Sequence, residues 1–318
     1  MKFHSHPLFQ RLMKIWLTSL TLTLSVTANA EDPLRIALVM KSLANPYFVT
    51  MAEGARAHSR EHAAHYDLFI TGIQNETDSA GQIHILEQLI IEKVDAIVLA
   101  PADSGNLVPV VSKALEAGIT VINIDNKLDD RVLAEAGINV PFVGASNTKG
   151  AKMVGSYLAK KLRAKDQVAI IEGISTTTNA KARTAGFRAS MASAGIEVIE
   201  IQSGQWESAI AEKIATEMLQ RHPDLKAILC GNDIMALGVA AAVRAAGLEG
   251  RVKIIGYDNI SPIAPMLADG RILATIDQFA GQQAVFGIEL ALKALTEDTP
   301  QQDLPPLVPT PLKLITGQ

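Results

Sequence analysis

Aromatic residues and residues with planar polar side chains recur in one kind of place along this chain, directly after short apolar runs. The run 34–40 is followed by Ser42, Asn45, Tyr47 and Phe48, and the run 119–124 by Asp125 and Asn126. Arg183 follows the run 168–172 after a loop, and Trp206 follows 197–202. Asn232 and Asp233 come after 227–230, Asp258 after 253–257, and Asp277 and Gln278 after 272–276. Singly, each has a plain structural reading: Asn45 and Asp233 as helix caps, Asp125 as a turn residue, the aromatics as core. Together they combine aromatic faces with planar polar groups. Sugar rings offer C–H faces to aromatics and hydroxyls to Asp, Asn, Gln and Arg. Two carboxylates, Asp125 and Asp258, against one guanidinium suit a neutral polyhydroxyl and oppose a phosphate.

Other chemistries find little support. No G-x-G-x-x-G follows a strand, and there is no G-x-x-x-x-G-K-[ST] or G-x-S-x-G. His58-Ser59-Arg60-Glu61-His62 fits the H-x-x-E-H zinc pattern, with both imidazoles at helical i, i+4 spacing. These residues lie among Arg56 and His65 at the polar end of the first helix, which reads as a solvated face without a third ligand. Asp125 and Asp258 taken as a glycosidase pair lack other catalytic groups. The sequence therefore predicts no enzyme, no metal and no cofactor.

The elements that must position the polar set alternate regularly. Strand-like runs of four to eight residues, apolar without clean alternation, fall at 34–40, 67–72, 95–100, 119–124, 142–145, 168–172, 197–202, 227–230, 253–257 and 272–276. Parallel strands covered on both faces read this way. Helical patterns lie between them at 46–64, 80–93, 106–117, 148–162, 179–194, 207–221, 233–246 and 279–296. Pro46 suits a first helical turn, and Gly118, Gly195 and Gly247 suit helix C-caps. The alternation predicts an α/β chain with two doubly wound parallel sheets, each of five or six strands, and a boundary near residue 146. The Pro-rich stretch 305–311 reads as a surface crossing.

Bulk properties agree with a globular, non-nucleic-acid-binding chain: 318 residues, 48% hydrophobic, 19% charged and a net charge of −4. The single Cys230 sits in an apolar run and reads as core, so no disulfide holds the fold. Residues 1–30 are basic at Lys2, Arg11 and Lys14, apolar from Ile15 to Val26, and end in Ala28-Asn29-Ala30. This is the plan of a secretory signal cleaved after Ala30, which predicts a periplasmic protein.

The sequence resembles the periplasmic sugar-binding proteins of the ribose-binding type, which share their fold with the ligand domains of lac-repressor-like regulators. The likeness runs over nearly all of 33–318. It is carried by IALVMKSLANPYF at 36–48, VINID at 121–125, AKARTAGF at 180–187, LCGNDIMALG at 229–238, IIGYDN at 254–259 and LATIDQ at 273–278. The resemblance implies a type I periplasmic binding fold with a three-crossing hinge. Its lobes would be 31–146 plus 279–309 and 147–278 plus 310–318, crossing near Ser146, Gln278 and Thr310. The implied ligand contacts are Ser42, Asn45, Tyr47, Phe48 and Asp125 from one lobe, and Arg183, Trp206, Asn232, Asp258 and Gln278 from the other lobe and the hinge. Tyr257 matches a further aromatic. Ribose binders carry Asp-Arg where this chain has Asp125-Asn126, a Phe where it has Trp206, and a Phe where it has Tyr47. Those departures open the ligand to another pentose, a sugar alcohol or a small hexose. The implied partner is the membrane permease of an ABC importer, the alternative a chemoreceptor or sensor kinase, and the implied state a monomer.

Overall fold

The computed structural model describes residues 33–317; the signal segment and its cleavage after Ala30 lie outside the described residues. Twelve strands form two sheets of six. The first holds β1 (Leu34–Ser42), β2 (Tyr66–Ile73), β3 (Ala96–Leu99), β4 (Thr120–Ile124), β5 (Phe142–Gly144) and β11 (Leu307–Pro309) in the order β11-β5-β4-β3-β1-β2, all parallel. The second holds β6 (Gln167–Glu172), β7 (Glu197–Ser203), β8 (Ala227–Cys230), β9 (Lys253–Ile255), β10 (Ala274–Asp277) and β12 (Lys313–Thr316) in the order β12-β10-β9-β8-β6-β7. Only β12 runs antiparallel, against β10.

Alternate residues of each central strand go to opposite faces, and both faces are buried. On β1, Ile36, Leu38 and Met40 join Met51 and Ala55 of α1 (Pro46–Glu61) and Ala284 and Ile288 of α10 (Ala280–Thr296). Ala37 and Val39 join Leu86 and Leu89 of α2 (Ser79–Glu92) and Val108 and Val111 of α3 (Val108–Glu116). The second sheet repeats the arrangement. Val168 and Ile170 of β6 pack with α5 (Asn147–Ala159) and α6 (Thr178–Ser193), while Ala169 and Ile171 pack with α7 (Ser208–Arg221) and α8 (Asp233–Ala245). This two-sided burial is why the strands read as unbroken apolar runs.

The chain passes from one sheet to the other three times: between β5 and α5, between β10 and α10, and between β11 and β12. Several elements go beyond the sequence expectation. The Pro-rich segment contributes an edge strand, β11, to the first sheet and leads into β12, an edge strand of the second. Proline is tolerated there because an edge leaves one side of the ladder free. Two short helices, α4 (Asp130–Ala136) and α9 (Ala264–Ala268), give no sequence signal because five to seven residues carry too little periodicity. Among the described residues no helix is long and apolar enough to cross a membrane.

Buried polar side chains hold the ends of the strands where the site forms. Gln82 on α2 is fully buried; its Nε2 donates to the carbonyls of Met40 (3.0 Å) and Ala100 (2.9 Å), and its Oε1 accepts from Ala102 N (2.7 Å). It ties the end of β1 to the turn after β3. Gln82→Ala strands three buried backbone groups and is expected to cost about 3 kcal/mol in urea unfolding. A cost below about 1 kcal/mol would mean that water replaces the amide.

Candidate functional site

The carboxyl ends of both parallel sheets face a common cavity, the place where open α/β sheets bind ligands. Its empty volume, counting the space open to solvent, is about 240 Å³. The first sheet and its helices contribute Lys41, Asn45, Tyr47, Phe48, Glu76 and Asp125. The second contributes Asn179, Arg183, Trp206, Asn232 and Asp258. The two halves also touch directly. Thr176 Oγ1 donates to Asp103 Oδ2 (2.9 Å), Thr178 N to Ser104 Oγ (2.9 Å) and Asn179 N to Asn126 Oδ1 (3.2 Å). These bonds mark a closed arrangement around the cavity.

Arg183 is the hub. It is buried on the inner face of α6, with its guanidinium 3.8 Å from the centre of the Tyr257 ring and 5.5 Å from that of Trp206. Its Nε donates to Asn147 Oδ1 (2.7 Å), and its Nη1 to the Gly231 carbonyl (2.8 Å) and Asp258 Oδ1 (3.3 Å). Asp258 Oδ1 also accepts from Gln278 Nε2 (2.8 Å). Burial, aided by the Asp125 charge, pushes the Asp258 carboxyl up to about 7 despite Arg183 beside it. Burial likewise raises Asp125, with Lys41 and Arg183 opposing. Burial is the largest influence on the Arg183 guanidinium and lowers it, but Asp258, Tyr257, Asp125 and Tyr47 together outweigh burial, so the group is held above its ordinary value.

The backbone under these groups is strained. Asp125 (φ 61°), Trp206 (φ 68°) and Asp258 (φ 116°) all sit in the left-handed region without being glycine. Asn123 holds the first of these turns: its Nδ2 donates to the carbonyls of Leu99, Ile124 and Asn126, and its Oδ1 accepts from Leu128 N. Trp206 lies on Gly173 and Gly231, and a Cβ at Gly173 would fall inside the indole. Gly173→Ala is therefore expected to displace the indole and weaken ligand binding about tenfold, read by calorimetry, while far-UV circular dichroism stays unchanged. An unaltered affinity would show that the indole can shift without consequence.

Three buried polar atoms at the site have no protein partner: Asp125 Oδ2, Trp206 Nε1 and Tyr257 Oη. Buried polar groups are normally satisfied, so the first two, belonging to cavity-lining side chains, point to a missing hydrogen-bonding occupant. Tyr257 Oη instead abuts Gly150 of α5, behind Arg183.

The residues expected from sequence fall into two layers. Asn45, Tyr47, Phe48, Asp125, Arg183, Trp206, Asn232 and Asp258 line the cavity. Ser42, Asn126, Tyr257 and Gln278 stand behind it. Ser42 Oγ donates to the Gln74 carbonyl, Asn126 Nδ2 to the Pro101 carbonyl, Tyr257 backs Arg183, and Gln278 holds Asp258. Successive strand residues point to opposite faces, so Lys41, not Ser42, turns to the cavity. Its Nζ pairs with Glu76 Oε2 (3.0 Å), and Asn45 Nδ2 donates to Glu76 Oε1 (3.1 Å). Lys41 Nζ also lies 5.6 Å from the centre of the Phe48 ring and 5.4 Å from that of Trp206. Lys41, Glu76 and Asn179 were missing from the sequence expectation.

Asn45 does cap α1, accepting from Tyr47 N, and does so while lining the cavity. Asn232, rather than Asp233, caps α8, accepting from Met235 N (2.9 Å). The H-x-x-E-H segment is not simply solvated. His58 is half-buried, contacts the Tyr66 hydroxyl through Nδ1 (2.8 Å) and stacks on His62. No cluster of three or more His, Cys, Asp or Glu among the described residues could hold a metal ion. Cys230 is buried and unpaired, as expected of a core residue.

Comparison with known proteins agrees with this geometry. A model described as a periplasmic binding protein domain matches residues 36–299. The D-ribose/D-allose-binding protein of Pseudomonas aeruginosa is 57% identical over 92% of this chain and 92% of its own length. A solute-binding protein of an ABC transporter from Burkholderia multivorans, holding an unknown ligand built as alpha-D-erythrofuranose, superposes with a TM-score of 0.88 at 57% identity, covering 90% of this chain and all of that one. Another from Actinobacillus succinogenes, with bound D-allose, gives 0.82 at 32% identity, covering 90% and 98%. This chain belongs to the periplasmic binding protein family, among the ribose-type sugar-binding proteins of ABC importers.

Proposed function

We propose that this protein captures a neutral monosaccharide of the ribose or allose kind, or a sugar alcohol, by closing two lobes on it, and delivers it to the permease of an ABC importer. The observation that carries this reading is the unpartnered pair Asp125 Oδ2 and Trp206 Nε1, both buried and belonging to side chains that line the cavity beside aromatic rings. A sugar hydroxyl can donate to the first and accept from the second while a ring C–H face lies on an aromatic. The balance of charge supports a neutral ligand: Asp125, Asp258 and Glu76 stand against Arg183 and Lys41, leaving no surplus of cations for a phosphate. The names of the Pseudomonas and Actinobacillus relatives point the same way.

The lobes are 31–146 plus 279–309 and 147–278 plus 310–318, hinged near Ser146, Gln278 and Thr310. The assignment of each strand to its sheet supports these limits. Cavity residues come from both lobes, so the ligand makes its full set of contacts only when they close, and ligand binding shifts the population toward closure. The closed form then presents a composite surface to the permease, with the protein acting as a secreted monomer rather than an enzyme. No observation favours a chemoreceptor as the docking partner.

A chain starting at Glu31 carries Trp206 as its single tryptophan, so intrinsic fluorescence reports on the site. Titration of residues 31–318 with D-ribose, D-allose, other pentoses and hexoses, polyols and sugar phosphates tests the reading. Saturable binding of one neutral sugar, with a thermal stabilisation of about 2.7 kcal/mol at 100 times its dissociation constant, is the expected result. A response only to phosphorylated or charged compounds would overturn it.

A further inference from the structure

We infer that Asp233 is a positioning residue for sugar recognition: its carboxyl grips the left-handed turn that carries Asp258 into the cavity. The inference rests on the reading of Asp258 as a sugar ligand given above. Asp233 itself does not line the cavity; it is fully buried at the first turn of α8.

The turn after β9 needs an external hold. Asp258 (φ 116°) and Asn259 (φ 54°) are consecutive non-glycine residues in the left-handed region, a conformation that persists only where surroundings enforce it. Asp233 supplies much of that enforcement. Its backbone N donates to the Tyr257 carbonyl (2.8 Å), and its Oδ2 accepts from Ile260 N (3.1 Å), so one residue grasps both sides of the Asp258–Asn259 pair. The Thr275 hydroxyl donates to Asp233 Oδ1 (2.8 Å) and accepts from Asn259 N (3.3 Å), extending the same hold to the residue between. Asp258 N donates to the Ile276 carbonyl (2.7 Å) and completes the set. Gly256 leaves the room for this: a Cβ there would overlap Asp233 Oδ1.

The chemistry of the carboxyl fits a holding role better than a charged one. Burial, and after it the Asp258 charge, keep Asp233 far above the ordinary carboxyl range. A neutral carboxyl both donates and accepts, as an amide does. Asparagine should therefore replace Asp233, whereas alanine should release the turn.

The test compares affinities for whichever of D-ribose and D-allose the parent protein binds more tightly, in Asp233→Ala, Asp233→Asn, Asp258→Asn and the Ala/Asn double variant. Asp233→Ala is expected to lose affinity about tenfold or more, and Asp233→Asn to return it to within about twofold of the parent. On the Asp258→Asn background, Asp233→Ala should change affinity by no more than about twofold, because its effect passes through Asp258. A general loss of structure would instead lower affinity equally on both backgrounds, and that outcome overturns the inference. Parent-like affinity in Asp233→Ala overturns it as well and leaves the sugar site standing. Parent-like affinity in Asp258→Asn overturns the site reading and the inference together. If Asp233→Ala does not fold, Thr275→Val and Thr275→Ser decide. Loss with Val and recovery with Ser supports the hold, and parent-like affinity in both removes it.

Discussion

Replacing Arg183 with methionine is expected to lower sugar affinity by about 100-fold or more, because breaking a buried charge network by removing one partner costs about 3–5 kcal/mol. The guanidinium touches Asp258, the Gly231 carbonyl and Asn147 at once. Without it, Asp258 and Asp125 share a buried cavity with Lys41 as the remaining cation, and Lys41 is already committed to Glu76. Lysine at position 183 is expected to recover only part of the loss. Its ammonium cannot stack flat on the Tyr257 ring or donate along three directions of a plane. Isothermal calorimetry on Arg183→Met and Arg183→Lys, with thermal unfolding as the control for fold, reads both effects. Affinity near the parent value in Arg183→Met would place the sugar away from this cavity.

The strand frame was legible for a physical reason. A run such as Ile36–Met40 is apolar on both faces because helices cover both, and that pattern survives in sequence as an uninterrupted run. Ligand groups collect at the carboxyl ends of such strands, so Asp125, Trp206 and Asp258 could be picked out by position alone. What could not be read is register and non-local pairing. Whether Lys41 or Ser42 faces the cavity depends on a one-residue phase at the end of β1, where the ladder shifts register between Met40 and Ser42. Glu76 looks like an ordinary loop acid until Lys41 and Asn45, more than thirty residues away, are brought against it. The layer behind the cavity is hidden in the same way. Tyr257 and Gln278 carry the residue types of ligand contacts, yet they meet the ligand groups Arg183 and Asp258 rather than the cavity. The exchange of roles between Asn232 and Asp233 is subtler. Both are good caps by type, and only the demand of the strained Asp258 turn for a buried acceptor assigns the Asp233 carboxyl inward.

Closure of the empty protein is expected to depend on pH, with acid favouring the closed form. In the closed cavity the Asp258 carboxyl lies at about 7, raised first by burial and then by the charge of Asp125, against the opposing pull of Arg183 and Lys41. When the lobes part, water reaches the carboxyl, burial is relieved, and its value falls toward the ordinary 3.8. Between those values the closed form therefore holds more protons than the open one. By linkage, the balance moves toward the closed form as pH falls and toward the open form as pH rises, and the effect is complete above the closed-state value. A gap of about three units between the two states corresponds to up to about 4 kcal/mol, lessened by whatever water remains in the cavity. Bound sugar hydroxyls donating to the carboxylate stabilise its charged form and offset this penalty, so closure at neutral pH becomes contingent on ligand. Small-angle scattering of the sugar-free protein at about pH 5.5 and about pH 8.5 reads the change as a smaller radius of gyration in acid. Asp258→Asn removes one of the two raised carboxyls, leaving Asp125, and should give a more compact protein with a weaker pH dependence that no longer opens fully in the absence of sugar. A parent protein whose radius is the same at both pH values, or an Asn variant that keeps the whole of the pH dependence, would show that another group governs closure.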